Sequence, residues 1–279
     1  MPLHPLLRRW LVHTAQQKLR RRMAEQAERA DMPPEACEVA VVFALGIEAG
    51  GFLDRMEEYI DLRGRGFTIR LGTLAGRRVA VVASGAGAEN AARATNAVFD
   101  GHQPQWVISA GLAGGLQPAL CRNDMVMANC VVNPEGRRLQ IDLSVDPAEL
   151  EKHPGVHVGR VLSVDRPVRS ADEKAALGEA HDALAVDMET FAVAETCRRR
   201  QARCLAVRVV YDPVGERLPR DVETLLAQPT AATRLGAAAA AVFRRPSSLK
   251  DLYQLRENAL VASERLATFL AGVVEQLPK

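Results

Sequence analysis

Neither sign of charge dominates this chain of 279 residues: 36 Lys and Arg stand against 34 Asp and Glu, a net charge of +2. A surface for nucleic-acid phosphates needs a clear basic excess, so that class of partner is excluded. The five cysteines (Cys37, Cys121, Cys130, Cys197 and Cys204) are scattered and form no CxxC pair. With no signal peptide ahead of them, they read as reduced thiols of a cytoplasmic protein. No apolar run reaches the ~20 residues that a membrane span needs. The alanine run at 237–241 is short and runs into Arg244 and Arg245. Internal repeats and low-complexity segments are also missing. Ser84 has no hydrolase elbow, because Val82 stands where GxSxG requires glycine. His153 and His157 have a helical metal-ligand spacing, but Pro154 and Gly155 lie between them and argue against a helix. No metal site is expected.

What remains is ordinary globular composition, 48% hydrophobic and 25% charged, enough for one large α/β domain with a full core. Residues 1–35 differ from the rest. They carry a helix-friendly basic stretch with Trp10 and seven lysines or arginines, ended by Pro33 and Pro34. This N-terminal helical extension reads either as a packed or dangling terminal helix, or as a membrane-surface helix with Trp10 at the interface. Residues 36–279 read as the main domain, with a helical tail from about residue 221 and a break near 244–248. Within it, continuous apolar runs alternate with helical patterns. Strands are expected at 39–45, 67–72, 77–84, 105–111, 124–132, 157–164 and 204–212. Helices are expected at 48–59, from about 89 to 99, at 171–180 and at 189–200. Such alternation implies a mostly parallel sheet covered on both faces.

Ligands of such sheets sit at the carboxyl ends of the strands. Four segments reach that edge if their strands run parallel: Glu48, Ser84-Gly85, Gly111 and Asp212. Ser84-Gly85-Ala86-Gly87 precedes a helix, so its amides could meet a sugar or an anion; a plain tight turn is the alternative. The glycine-rich stretch from Gly111 to Gly115 reads as a loop that approaches a ligand, or as one that needs positive φ. Glu48 and Glu189 each open a helix, where a carboxylate also stabilises the helix dipole, and Asp187 could be the N-cap of the second. Asp212 precedes Pro213 and could be a turn residue. Convergence of three acids on one edge is harder to explain by turns and caps alone.

These segments together resemble the purine nucleoside phosphorylase and methylthioadenosine/adenosylhomocysteine nucleosidase superfamily. The matching stretches are ALGIEA (44–49), SGAGAENA (84–91), ISAGLAGGL (108–116), SVDRPV (163–168), AVDMET (185–190) and RVVYD (208–212), in family order. SVDRPV, AVDMET, RVVYDP and the helical tail look most like the hopanoid-associated branch, the adenosylhopane nucleosidases.

The resemblance implies a three-layer α/β/α sandwich with a mixed, partly barrel-like sheet. It implies Asp212 as the acid that protonates the purine at N7, Glu48 as the base that activates water, and Glu189 as the holder of the ribose hydroxyls. Met188 would pack on the sugar and Val168 would lie along the base, with Ser84, Gly85 and Gly111 also at the substrate. Chemistry agrees: protonating a departing base helps by ~10²–10⁴-fold, and carboxylates offset charge on an oxocarbenium-like sugar. Phosphorylases of the family carry arginines where this chain has Ser109 and Glu48, which favours water over phosphate. The expectation is hydrolysis of a 5′-modified adenosine, adenosylhopane among them, with water as co-substrate and no cofactor. A methylthioadenosine/adenosylhomocysteine nucleosidase, a phosphate-dependent phosphorylase and a nucleoside-binding regulatory module are the alternatives. The family commonly assembles homo-oligomers, so one is expected here.

Overall fold

The computed structural model describes residues 36–217 and 248–278, apart from 65, 142, 144–147, 149 and 151 and the side chains of 248–254. The expected basic helix near the N-terminus and the break near 244–248 lie outside the described residues.

Ten strands form one sheet. They are β1 (Val39–Phe43), β2 (Tyr59–Arg63), β3 (Thr68–Leu74), β4 (Arg77–Ala83), β5 (Trp106–Gly115), β6 (Met125–Val132), β7 (Arg138–Gln140), β8 (Val156–Ser163), β9 (Ala185–Asp187) and β10 (Arg203–Asp212). Five of them, in the order β5-β10-β6-β8-β9, return to β5 and close a barrel. β1, β4, β3 and β2 extend from β5 as an open wing, and β7 pairs with β6. The helices are α1 (Gly46–Leu53), α2 (Ala88–His102), α3 (Ala171–His181), α4 (Thr190–Arg199) and α5 (Ser248–Gln276).

β1 shows why the layers form. All five of its residues are buried, as a run of VAVVF without polar breaks demands. Strand side chains alternate between faces. Val39, Val41 and Phe43 join a core with Ala49 and Phe52 of α1 and Leu266 and Leu270 of α5. Ala40 and Val42 join a separate core with Ala91, Ala94 and Val98 of α2 and Val193 and Cys197 of α4. The result is the three-layer α/β/α sandwich with a mixed, partly closed sheet that the resemblance implies.

Three expectations are corrected. The helix expected over 48–59 stops at Leu53; residues 54–58 form a turn and a bend, and Tyr59 already opens the edge strand β2. Tyr59–Arg63 alternates between exposed and half-buried positions and pairs antiparallel with β3, which suits a strand wetted on one side. The glycine stretch from Gly111 to Gly115 is no loop. It continues β5 as strand, without a positive φ at Gly111, Gly114 or Gly115. There glycine provides room rather than a turn: a Cβ on Gly111 would stand 3.0 Å from Glu48 Oε1, and one on Gly114 3.2 Å from Val186 Cγ1. Finally, Glu189 stands immediately before α4 rather than within its first turn. Asp187 ends β9 and still serves the helix, since its Oδ2 accepts a 3.0 Å bond from Thr190 N.

Candidate active site

β1 runs parallel to β4 and to β5, and β5 runs parallel to β10. Their carboxyl ends therefore share one edge, and the connections leaving them build a cavity of about 320 Å³. Glu48, Val168, Met188, Glu189 and Asp212 all line it. Ser84, Gly85 and Gly111 do not line it. The Ser84 Oγ lies 3.1 Å from Phe43 O and 2.9 Å from Gly85 O, which share its one proton, so it closes the β1–β4 edge from inside. Gly85 and Gly87 have φ of +87° and +94°, which sharpens the turn into α2. That turn serves the cavity through Gly87, whose N–H donates to Glu189 Oε1 at 2.6 Å.

Each acid has its own surroundings. Glu48, 4% exposed, receives Leu45 N on Oε2 at 2.7 Å and Leu112 N on Oε1 at 2.9 Å. Burial raises its pKa, and these two amides and Arg208 oppose the rise. Burial pushes Glu189 up to about 8, helped by the negative charges of Asp187 and Glu48 and opposed by Gly87 N–H. Burial also raises Asp212, to about 6, against the pull of Lys174. The cavity thus holds a carboxyl that can donate near neutral pH, and another whose two oxygens are held by amides in the manner of a carboxylate.

Several residues behind the cavity wall have no role assigned in the sequence reading. Arg208, 2% exposed, sits mid-strand in β10. Its Nε and Nη2 reach Asp187 Oδ2 at 2.7 and 2.6 Å, and Nη2 also donates to Ser109 Oγ at 2.8 Å. Ser163 Oγ donates to Asp187 Oδ1 at 2.5 Å and accepts from Phe191 N at 2.9 Å. A charged residue inside the apolar run CLAVRVVYD is the available hint for Arg208, and Ser163 opens the family-like stretch SVDRPV without a role of its own. Lys174, on α3, lies fully buried against Asp212. His157 faces Asp124 at 3.0 Å, away from the carboxylates.

The other walls are mainly apolar. Leu45, Ile47, Leu112, Val164 and Pro167 meet Leu255 and Ala259 of α5 there. Tyr211, next to the acid, fastens α5 by donating its hydroxyl to Leu255 O at 2.9 Å.

Residues 38–244 match the model of the Phosphorylase superfamily. The chain belongs to this superfamily. Among curated relatives, the 5′-methylthioadenosine/S-adenosylhomocysteine nucleosidase of Staphylococcus haemolyticus is 25% identical over 195 residues, covering 62% of this chain and 86% of that one. The enzyme of the same name from Pseudoalteromonas translucida is 26% identical over 215 residues, covering 67% and 89%. Among solved structures, the nucleosidase of Neisseria meningitidis in complex with methylthio-immucillin-A superposes with a TM-score of 0.65 at 23% identity, covering 86% of this chain and 99% of that one. A futalosine hydrolase mutant of Helicobacter pylori gives 0.65 at 19% identity, covering 87% and 100%. These superpositions establish the phosphorylase-superfamily fold for this chain.

Proposed function

We propose that this protein is a nucleosidase that hydrolyses the N-glycosidic bond of a 5′-modified adenosine. The observation that carries the reading is the pairing of Asp212, a buried acid pushed up to about 6, with the amide-held Glu48 in one cavity. Asp212 gives its proton to N7 of the purine as the C1′–N9 bond breaks and the electron pair leaves with the base. Water adds to C1′ and passes a proton to Glu48, which releases it to solvent while Asp212 takes a proton back. Glu189 holds the ribose hydroxyls, and the Glu48 carboxylate offsets the oxocarbenium-like sugar. The two products are free base and the free sugar. Water is the co-substrate and no metal or organic cofactor takes part.

Water is preferred over phosphate because the cation nearest the Ser109 edge is already committed. Arg208 divides its donors among Asp187, Ser109 and the Val207 carbonyl. A phosphate needs cationic or dense donors of its own. The relatives named nucleosidases support the same choice.

The 5′-substituent is the finer part of the proposal. The apolar wall from Ile47 and Leu112 to Leu255 and Ala259 suits a large apolar group better than a charged amino acid. Adenosylhopane is the substrate this favours, with the basic N-terminal segment supplying peripheral membrane contact. The test is adenine release from adenosines with 5′-methylthio, homocysteinyl and long alkylthio groups, with and without phosphate. Release of free ribose product, faster with longer alkyl chains and indifferent to phosphate, is expected. A sugar 1-phosphate formed only with phosphate overturns hydrolysis, and preference for the homocysteinyl group overturns the apolar assignment. Tight binding without turnover points instead to a regulatory module.

A further inference from the structure

Lys174 is the least expected residue near the site. It projects from the first turn of α3, 38 residues before Asp212, and is 0% exposed. A lysine is rarely buried this far without a partner. Its ammonium donates to three carbonyls in the turn after β10: Asp212 O at 3.2 Å, Pro213 O at 3.0 Å and Glu216 O at 2.9 Å. Three bonds use all the donors a lysine has. The same nitrogen lies against Asp212 Oδ2 as an ion pair, and that oxygen has no aligned hydrogen bond. The contact is a close ion pair that adds to the three carbonyl bonds, and both its charge and its N–H lower the Asp212 pKa.

We infer that Lys174 is a positioning residue for proton transfer: its charge keeps the proton off Oδ2 of Asp212, leaves Oδ1 to carry it, and stabilises the carboxylate left when that proton departs. This inference rests on the proposed role of Asp212 as the acid. The electrostatic logic is direct. Proton donation turns a neutral carboxyl into an anion in a buried site, where an unpaired charge is costly. A cation already in contact offsets that charge without any reorganisation. Burial by itself would make Asp212 a weak acid, slow to release its proton; the lysine pulls it back toward neutral pH. Other charges also face this carboxyl. Arg122, from the connection before β6, lowers the pKa, and Glu216, beyond β10, raises it. Tyr211 adjoins it on its own strand and is itself pushed up to about 12, largely by burial. Arg122 pairs with Glu216, which leaves Lys174 as the cation in direct contact.

The test compares Lys174→Gln, which keeps a donor for the carbonyls, and Lys174→Met, which keeps neither donor nor charge. Release of the base is followed against pH in the full-length enzyme. Both variants should move the alkaline limb of kcat/KM upward by about one to two pH units. Both should also lower the plateau by about 10- to 100-fold. Lys174→Arg should keep the wild-type limb. Damage to packing alone would lower the rate at every pH and leave the limb in place, and that result overturns the inference. Carbon-13 titration of the Asp212 carboxyl in wild type and Lys174→Gln gives the same reading without catalysis. An unchanged titration there refutes the lysine's role even if the substrate proposal stands. A shifted titration in a protein that releases no base supports it while the substrate proposal falls. Should neither neutral variant fold, the titration is repeated on Lys174→Arg and wild type. Equal values, both above the ordinary carboxyl range but below neutrality, support charge as the controlling factor, and divergent values overturn it.

Discussion

Arg208 Nε and Nη2 both close on Oδ2 of Asp187, at 2.7 and 2.6 Å, in a pair whose side chains are 2% and 1% exposed. The pair joins the middle of β10 to the end of β9, one residue before Met188 and two before Glu189. The Arg208 charge also opposes the repulsion that Asp187 exerts on Glu189.

Removing the guanidinium should therefore be costly in stability. Arg208→Met strands a buried carboxylate, and such losses run to about 3–5 kcal/mol. Adding Asp187→Asn removes the stranded charge while sparing the bond from Thr190 N, and should recover more than half of the loss. Urea unfolding of the two variants checks this; equal stability of single and double variants would contradict it.

Asp212→Asn should lower kcat by about 10²–10⁴-fold and leave nucleoside affinity within a few-fold, because the amide keeps the shape but has no acidic proton. In the wild-type enzyme, kcat/KM should fall as pH rises through about 6, where Asp212 loses that proton in the free protein. Initial rates across pH, with affinity measured by calorimetry, test both statements. Unchanged turnover in the variant would remove Asp212 from the mechanism.

Glu189 should make the fold itself sensitive to pH. Its folded-state pKa of about 8 lies above the ordinary value of 4.5, so the native protein holds this proton more firmly than the unfolded chain. The resulting stabilisation is complete below about pH 4.5 and is lost as pH rises through about 8. Glu189→Gln cannot ionise and lacks this loss. Relative to the variant, wild type should lose at least about 3 °C of Tm between those two limits. Parallel melting curves for the two proteins would disprove the assignment.

Gly111→Ala should separate activity from folding. The added Cβ would stand 3.0 Å from Glu48 Oε1 and 3.4 Å from its carboxyl carbon, at a backbone position with no positive φ. The strand can accept alanine, but the carboxylate must shift by a few tenths of an ångström. Displacing a positioned group costs about 10- to 100-fold in rate. Circular dichroism and thermal melting should change little while turnover falls; full activity would mean that Glu48 has slack.

Much of this arrangement is legible along the chain, for identifiable reasons. Short apolar runs rich in β-branched residues, such as VAVVF, read as strands buried on both faces, and parallel strands put Glu48 and Asp212 on one edge. Local cues fail where tertiary space decides. The glycines after Ser109 read as a loop because glycine usually marks turns, but here they clear room for Glu48 and Val186 within a strand. Tyr59 belongs to an edge strand because β3 offers a free edge, which helix propensity cannot register. Ser84 sits in a family-like motif yet turns inward to Phe43 O.

By itself, the sequence determined the buried strands, the layers they imply and, given parallel strands, the edge that Glu48 and Asp212 share, because hydrophobic periodicity is written locally. Only the tertiary structure decided what state the three acids of the cavity are in. Burial raises all three, yet each is held differently: Glu48 by two backbone amides, Glu189 beside Asp187, and Asp212 against a lysine from a helix that no motif connects to it. Electrostatic energy depends on distance through space and on exclusion of water, and neither can be counted along the chain.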